Sequence, residues 1–469
     1  MSADAPPGGT AKSRDVALFG LVLFLVALAP RVFVALRFAG EPIWDGHYYD
    51  FGARRIADGL GYSDDLRVGD TLVWHPWCHY PVGYSAFVAF FYGIFGQGPR
   101  VAPLVNAAVG AALAVVTWLL ARTAFSPRRA AIAGGLVAFH PGLVLYGGLV
   151  MTEPLAALAT LLAFWIAVRD PAPRRGFALG AIALGLSALI RPQALLCAPF
   201  LALVVVRRDD LRAPSYVRKF ATWAAVACAL ALVPVLPWTA RNCRVMDACA
   251  LVSTNGGWNL AIGAFPRATG RFEQLTAKDG CDDVTGQVQQ DRCWFGVGVK
   301  AIATDPRRWL ALVPKKLGYT FDHESFPVEY LHMARPDDWP EPVRAGTRTV
   351  LTIVHRVLLT LAAFGAIGVA TRGRGVVVQV VLATALGALA FVSWTRMPGI
   401  AWPFAVALSA VPFVPWPGSP PRSPALLLGA ALLATTVLAH AVFFGEDRYH
   451  MVVVPVMCLF TAGLFRRAE

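Results

Sequence analysis

Residues 424–444 read PALLLGAALLATTVLAHAVFF, a run without Asp, Glu, Lys or Arg. As a helix rising 1.5 Å per residue, such a run spans roughly 30 Å, the hydrocarbon thickness of a bilayer. Working outward, comparable stretches lie near 16–38, 100–121, 131–150, 154–168, 177–190, 194–206, 220–237, 347–370, 375–392, 399–416 and 450–465. The pattern predicts an all-α polytopic membrane protein of about 12 transmembrane helices, with about 11 to 13 as the bracket, forming a single domain over 1–469. Composition agrees: 57% of the 469 residues are hydrophobic and 15% are charged, against about 25% charged in a soluble domain. One water-soluble core cannot absorb that excess, and so apolar a chain does not stay disordered.

The net charge of +13 does not point to nucleic acid, because the basic residues are scattered over short connections, as the positive-inside rule asks of a membrane protein. If the spans alternate, eighteen Lys and Arg fall on one side, at Lys12 and Arg14, in the loops around Arg128, Arg175, Arg212, Arg374 and Arg422, and at Arg466 and Arg467. The short connections of the other side hold Arg100, Arg191, Arg396 and Arg448. Both termini are therefore expected in the cytoplasm, in a plasma (bacterial inner) membrane. The first apolar run reaches Ala-Leu-Ala-Pro at 27–30, faintly like a signal-peptide site, but Arg31 and more apolar residues follow, so a retained helix is expected.

Two long segments, 39–99 and 238–346, then lie on the outer face with short interfacial helices, among them one over 81–96. Five of the eight cysteines fall in these segments, and their spacing in an oxidising compartment suggests the bridges Cys243–Cys249 and Cys281–Cys293. Polar groups at the mouth of a membrane bundle are costly and invite a functional reading. Asp45, between Trp44 and Gly46, either caps the following helix or does chemistry, whereas Asp50 reads as a solvated helix face. Thr152-Glu153-Pro154 reads as a helix start, with Glu153 able to orient a hydroxyl. In PRRWLALVPKKLGYTF, 306–321, Trp309, Leu310, Val313 and Leu317 share a face, which places Lys315 and Lys316 near lipid headgroups. Arg448 either pairs with Asp447 or presents its planar fork to a phosphate. His75 and His79 stand four apart, with His47 in the same segment, but Pro76 denies them a helix, so no metal ligand is assigned. Phosphate-loop, nucleophile-elbow and His-Glu-x-x-His motifs do not occur.

At these residues the chain resembles the GT-C membrane glycosyltransferases, in the branch of protein O-mannosyltransferases and the lipid A aminoarabinose transferase. The resemblance rests on Asp45 with Tyr49, the run Ala53 to Tyr62, and Tyr80-Pro81-Val82-Gly83-Tyr84, where Val82 departs from the second Pro of the pattern. Thr152-Glu153-Pro154, Arg191-Pro192, Pro237-Trp238-Thr239 with Arg241-Asn242, Ser253 to Gly257, and Arg448-Tyr449 complete it, and Ala264 departs where an Asn is common. The resemblance implies transfer of a hexosyl or pentosyl unit, with inversion, from a polyprenyl-phosphate-linked sugar to a lipid, glycan or protein acceptor on the outer, periplasmic face. It implies Asp45 as general base, its pKa raised at a water-poor mouth. Tyr49, Tyr84, Glu153 and Asn255 would bind substrate, and Arg191, Arg241, Lys316 and Arg448 the donor phosphate. Members differ in metal need; a divalent cation is left open, and no cofactor is assigned. The competing readings are a polytopic transporter or lipid flippase, whose charges would sit at midplane in repeated halves, and an outer-face glycan ligase or polymerase.

Overall fold

The computed structural model describes residues 13–206, 214–281, 283–371, 376–414 and 422–465. Of the basic residues that set the expected orientation, Lys12, Arg207, Arg208, Arg212, Arg372, Arg374, Arg466 and Arg467 lie outside the described residues. All twelve apolar stretches contain helix. Five helices are long and apolar enough to cross a membrane: Arg14–Arg37, Val101–Arg122, Glu341–Ala370, Val377–Arg396 and Pro424–Val442. Two further spans would be broken ones, Pro127–Phe139 with Pro141–Gly148, bent by 53°, and Ser215–Leu232 with Leu236–Val245, bent by 55°. Pro141 and Pro234 stand at these breaks, each removing a backbone donor the ladder would need. The protein is thus helical and polytopic. The remaining apolar stretches form shorter helices, several opening on proline, such as the turns over Pro192–Leu201 and Val454–Thr461.

The core is small-residue packing. Alanines of Val101–Arg122, Glu153–Arg169 and Pro173–Ala188 are fully buried and let the helix backbones approach. Arg31, buried inside the first helix, donates through its terminal nitrogens to the carbonyls of Ala27, Val137 and Ala138, the last two at the C-terminal end of the broken helix Pro127–Phe139.

The two long segments meet at one end of the bundle, the mouth. The Thr254 N–H donates to the Cys78 carbonyl, and Gln287 Oε1 accepts from the Cys78 N–H. Segment 39–99 carries two helices and a hairpin. Between the helices Asp45–Ala57 and Val82–Phe95 lies an antiparallel hairpin, Ser63–Val68 paired with Thr71–Pro76. Gly69, at φ 63°, opens its two-residue turn, a conformation that costs glycine nothing. Both expected bridges, Cys243–Cys249 and Cys281–Cys293, are present.

Candidate active site

Asp45 opens the helix Asp45–Ala57 but does not cap it: no side-chain cap bond forms at that end. The preceding Trp44 sits at φ 49°, a sparsely populated region for a non-glycine residue, held between the rings of Phe326 and Tyr330. Gly46 then lies against the Tyr330 hydroxyl and the Val150 carbonyl, where any Cβ would collide. Together these turn the Asp45 carboxylate toward a cavity of 650 Å³ at the mouth. There Oδ1 accepts a 2.7 Å bond from the Tyr80 hydroxyl and Oδ2 receives Arg448 at 2.5 Å.

Arg448 is the hub. Its guanidinium also lies 2.7 Å from the Glu446 carboxylate and over the Tyr449 and Phe326 rings. Arg191 approaches Tyr449 from elsewhere, its guanidinium 5.4 Å from the ring centroid. It donates to Thr152 Oγ1 at 3.1 Å and to Glu153 Oε1 at 2.8 Å. A backbone contact places it: the Gly83 N–H donates to the Leu189 carbonyl at 2.8 Å, and a Cβ on Gly83 would come within 2.6 Å of that group. The Tyr80–Tyr84 stretch therefore fixes the turn that presents Arg191.

Electrostatics correct one expectation. Burial pushes the Asp45 carboxyl up, but the Arg448 charge and the bonds from Tyr80 and Arg448 outweigh it, so its pKa lies below the ordinary value. The expected raised base is absent from this arrangement, and the reason is the arginine. Glu446 is pushed up instead, by burial that Arg448 only partly offsets, and burial raises Asp291 of the cavity lining as well. Burial also lowers His79 to about 4, with the Asp45 charge pulling the other way, so this imidazole is neutral at the mouth.

The cavity brings together Asp45, Tyr49, Arg191, Asn255 and Arg448 of the expected site residues. Glu153 is fully buried behind Arg191, and Thr152 does not cap but accepts from it. The other three lie off the cavity lining. Tyr84 is buried against Tyr49 and accepts a bond from Asn106. Arg241 donates to the carbonyls of Trp77 and Tyr62, tying the hairpin segment to the helix Leu236–Val245. Lys316 is not at a lipid surface: it is fully buried and donates to the Ala441 and Val442 carbonyls, closing the end of Pro424–Val442. Burial, then the Arg308 charge, lowers its pKa to about 7. Arg448 pairs with Asp45 and Glu446, not with Asp447, whose carboxylate caps the helix Phe326–Ala334 by accepting from Ser325 and Phe326. Asp50 is no solvated residue; it is buried and accepts from Arg54 and Tyr92. His75 pairs with Asp64 on the hairpin, whereas His79 packs its ring against Tyr80 and Trp258, so the two histidines form no metal pair.

Sequence reading missed Tyr80 and Glu446 as site residues. Tyr80 stood in a quoted motif and Glu446 two positions before Arg448, but only the fold shows both meeting Asp45 and Arg448.

The site is thus a carboxylate and two arginines at the mouth of a predominantly helical membrane bundle, and part of the chain matches a known family. Residues 79–238 match the family described as dolichyl-phosphate-mannose-protein mannosyltransferase. That stretch includes Tyr80, Glu153 and Arg191, whereas Asp45 and Arg448 lie outside it. Among solved structures the chain is similar to the apo oligosaccharyltransferase of Archaeoglobus fulgidus, at 14% identity and a TM-score of 0.44, covering 95% of this chain and 50% of that one. It is also similar to ArnT from Cupriavidus metallidurans bound to undecaprenyl phosphate, at 16% identity and a TM-score of 0.37, covering 97% and 79% of the two chains. The chain thus spans about half the length of the archaeal enzyme. No curated protein matches the sequence.

Proposed function

We propose that the protein transfers a single sugar from a polyprenyl-phosphate donor to a hydroxyl or amine of a lipid, glycan or protein acceptor, with inversion, on the periplasmic face of a bacterial inner membrane. The observation that carries this reading is the Asp45–Arg448 pair facing a 650 Å³ cavity that Arg191 and Asn255 also line. The lining includes Leu196, Ile262, Phe272 and Phe443, an apolar flank suited to the first isoprene units of a donor.

The donor phosphate would take up the guanidinium of Arg448, with Arg191 as a second positive charge; bidentate arginine contacts suit phosphate oxygens. Drawing Arg448 toward phosphate loosens its hold on Asp45. With that charge redirected, burial acts on the carboxyl and raises its pKa toward a value useful for a base. Asp45 then takes the proton of the acceptor as its oxygen or nitrogen forms the bond to the anomeric carbon. The bond from that carbon to the phosphate oxygen breaks on the opposite side, and the arginines stabilise the charge left on polyprenyl phosphate. Donor binding and base activation are thereby one event, which keeps the donor-free enzyme from misplaced proton transfer.

The clustering of charges at one end of the bundle disfavours the transporter reading, which would place them at midplane. The test is mass spectrometry of surface lipids and glycoproteins with and without the gene product, followed by transfer from a synthetic polyprenyl-phosphate sugar by the purified protein. A sugar-bearing product that disappears without the protein is expected. An unchanged set of glycoconjugates, together with no hydrolysis or transfer in vitro, would overturn the reading.

A further inference from the structure

Behind the mouth, and separate from the cavity lining, Glu324, His355 and His450 form a fully buried group whose ligand-capable atoms all lie within 4.8 Å of one another. The hydrogen bonds decide what these atoms are. His450 Nδ1 lies 2.7 Å from the Thr320 carbonyl and His355 Nε2 lies 2.9 Å from the Phe321 carbonyl. A carbonyl only accepts, so both of those nitrogens carry the proton. In the neutral rings the other nitrogens, His450 Nε2 and His355 Nδ1, then present lone pairs. They face the Glu324 carboxylate, with Oε2 at 3.2 Å from His450 Nε2 and 3.9 Å from His355 Nδ1. His355 Nδ1 and Glu324 Oε1 have no hydrogen-bond partner among the described residues.

Lone pairs facing a carboxylate in a dry interior repel it unless a proton or a metal ion lies between them; a proton would serve the 3.2 Å contact of His450 Nε2 with Glu324 Oε2, but it would leave His355 Nδ1 and Glu324 Oε1 unpartnered, whereas an ion serves all of them. The construction matches a metal-binding shell, in which each histidine donates its far N–H to a backbone carbonyl and so fixes ring orientation and tautomer. With metal–ligand bonds of about 2.0–2.2 Å, tetrahedral ligand atoms stand about 3.3–3.6 Å apart; the 3.2 and 3.9 Å separations from Glu324 Oε2 fall close to that range, and the two histidine nitrogens, within 4.8 Å of each other, would draw in on the ion. One further feature fits. A Cβ on Gly142 would overlap Glu324 Oε1, so the glycine leaves the carboxylate its place in the cluster. His140 Nδ1 accepts from the Leu143 N–H, leaving a protonated Nε2 that stands 3.8 Å from Glu324 Oε2, beyond hydrogen-bond reach, at the edge of the cluster.

We propose that Glu324, His355 and His450 bind one divalent transition-metal ion of the zinc class. Two imidazoles and a carboxylate suit zinc or cobalt better than calcium or magnesium, which prefer an all-oxygen set. The ion would clamp the helix Glu341–Ala370, the loop after Pro306–Phe321 and the short turn Asp447–Val452. That turn carries Arg448, two residues from the ligand His450, so the ion would hold the arginine's backbone in place without touching substrate.

Because the cluster is sealed, loading is tested during synthesis. The full chain is expressed with zinc or with cobalt in the medium, purified in detergent without chelator, and assayed for metal by elemental mass spectrometry and visible absorption. About one ion per chain is expected, with the intense cobalt bands of a four-coordinate site. His355→Ala and Glu324→Gln should each lower metal content at least roughly tenfold, whereas His75→Ala on the hairpin should not. Wild-type protein that folds and carries less than about a tenth of an ion overturns the proposal, and that measurement does not depend on any variant folding. Metal retained in full by folded His355→Ala and Glu324→Gln overturns it too. So does a neutron or NMR observation of a proton shared between His450 and Glu324 in metal-supplemented protein.

Discussion

Replacing Asp45 with Asn separates a base from a structural anion. The amide keeps the shape of the carboxylate, and its oxygen can still accept from the Tyr80 hydroxyl 2.7 Å away. It loses the charge that faces Arg448. Removing one partner of a buried pair costs about 3–5 kcal/mol when the other charge is left alone. Arg448 is not left alone here, because the Glu446 carboxylate stays 2.7 Å from its Nε and both groups retain some exposure. The fold should therefore lose less than that range. Turnover is another matter. An amide takes no proton, so the step should slow by roughly 10²–10⁴, or about 3–5 kcal/mol of barrier. The assay is transfer from a polyprenyl-phosphate sugar at saturating donor, alongside thermal unfolding in the same detergent. Asp64→Asn, on the hairpin with His75 as its partner, is the control and should leave turnover unchanged. Asp50→Asn cannot serve, since Asp50 is buried under Arg54 and Tyr92. Folded Asp45→Asn enzyme with turnover near that of the wild type would refute the base assignment and make Glu153 the next carboxylate to test.

Two further outcomes follow from the charges. In the free enzyme Asp45 titrates below the ordinary carboxylate value because of Arg448, so kcat/KM should fall only at low pH. Arg448→Gln leaves burial opposed only by the Tyr80 bond and the more distant Arg191 charge, and the acid limb should move to higher pH as well as lower in height; a limb that stays put or moves down would contradict the coupling. Lys316 has a pKa of about 7 in the fold and about 10.4 unfolded. Between these values the unfolded chain holds the extra proton, so stability from this group rises with pH through the window, by up to about 1.4 kcal/mol per unit, and is lost as pH falls toward 7. Lys316→Met should remove that slope from the unfolding midpoint measured between pH 6 and 10, and a wild-type-minus-variant difference that is flat with pH would count against the buried neutral amine.

What the sequence by itself determined is what depends on short-range composition and spacing. Apolar runs such as 424–444 dictate helices because a helix alone satisfies its backbone in hydrocarbon. The closely spaced cysteines Cys281 and Cys293 can meet with only a short intervening loop, as they do. Gly46 and Gly83 stand in the stretches that the sequence singles out, but only the fold shows what approaches them so closely. Tertiary structure decided the charge partners. Asp45 and Arg448 lie 403 positions apart, and no local pattern says that this arginine would hold the Asp45 carboxyl below its usual pKa while Lys316 and Arg241 were drawn into closing backbone elsewhere. Nor does any spacing predict that Glu324, His355 and His450 converge from three separate segments. Long-range electrostatics depends on which helix ends the packing brings to the same mouth, and that is settled by the burial of alanine faces far from the charges themselves.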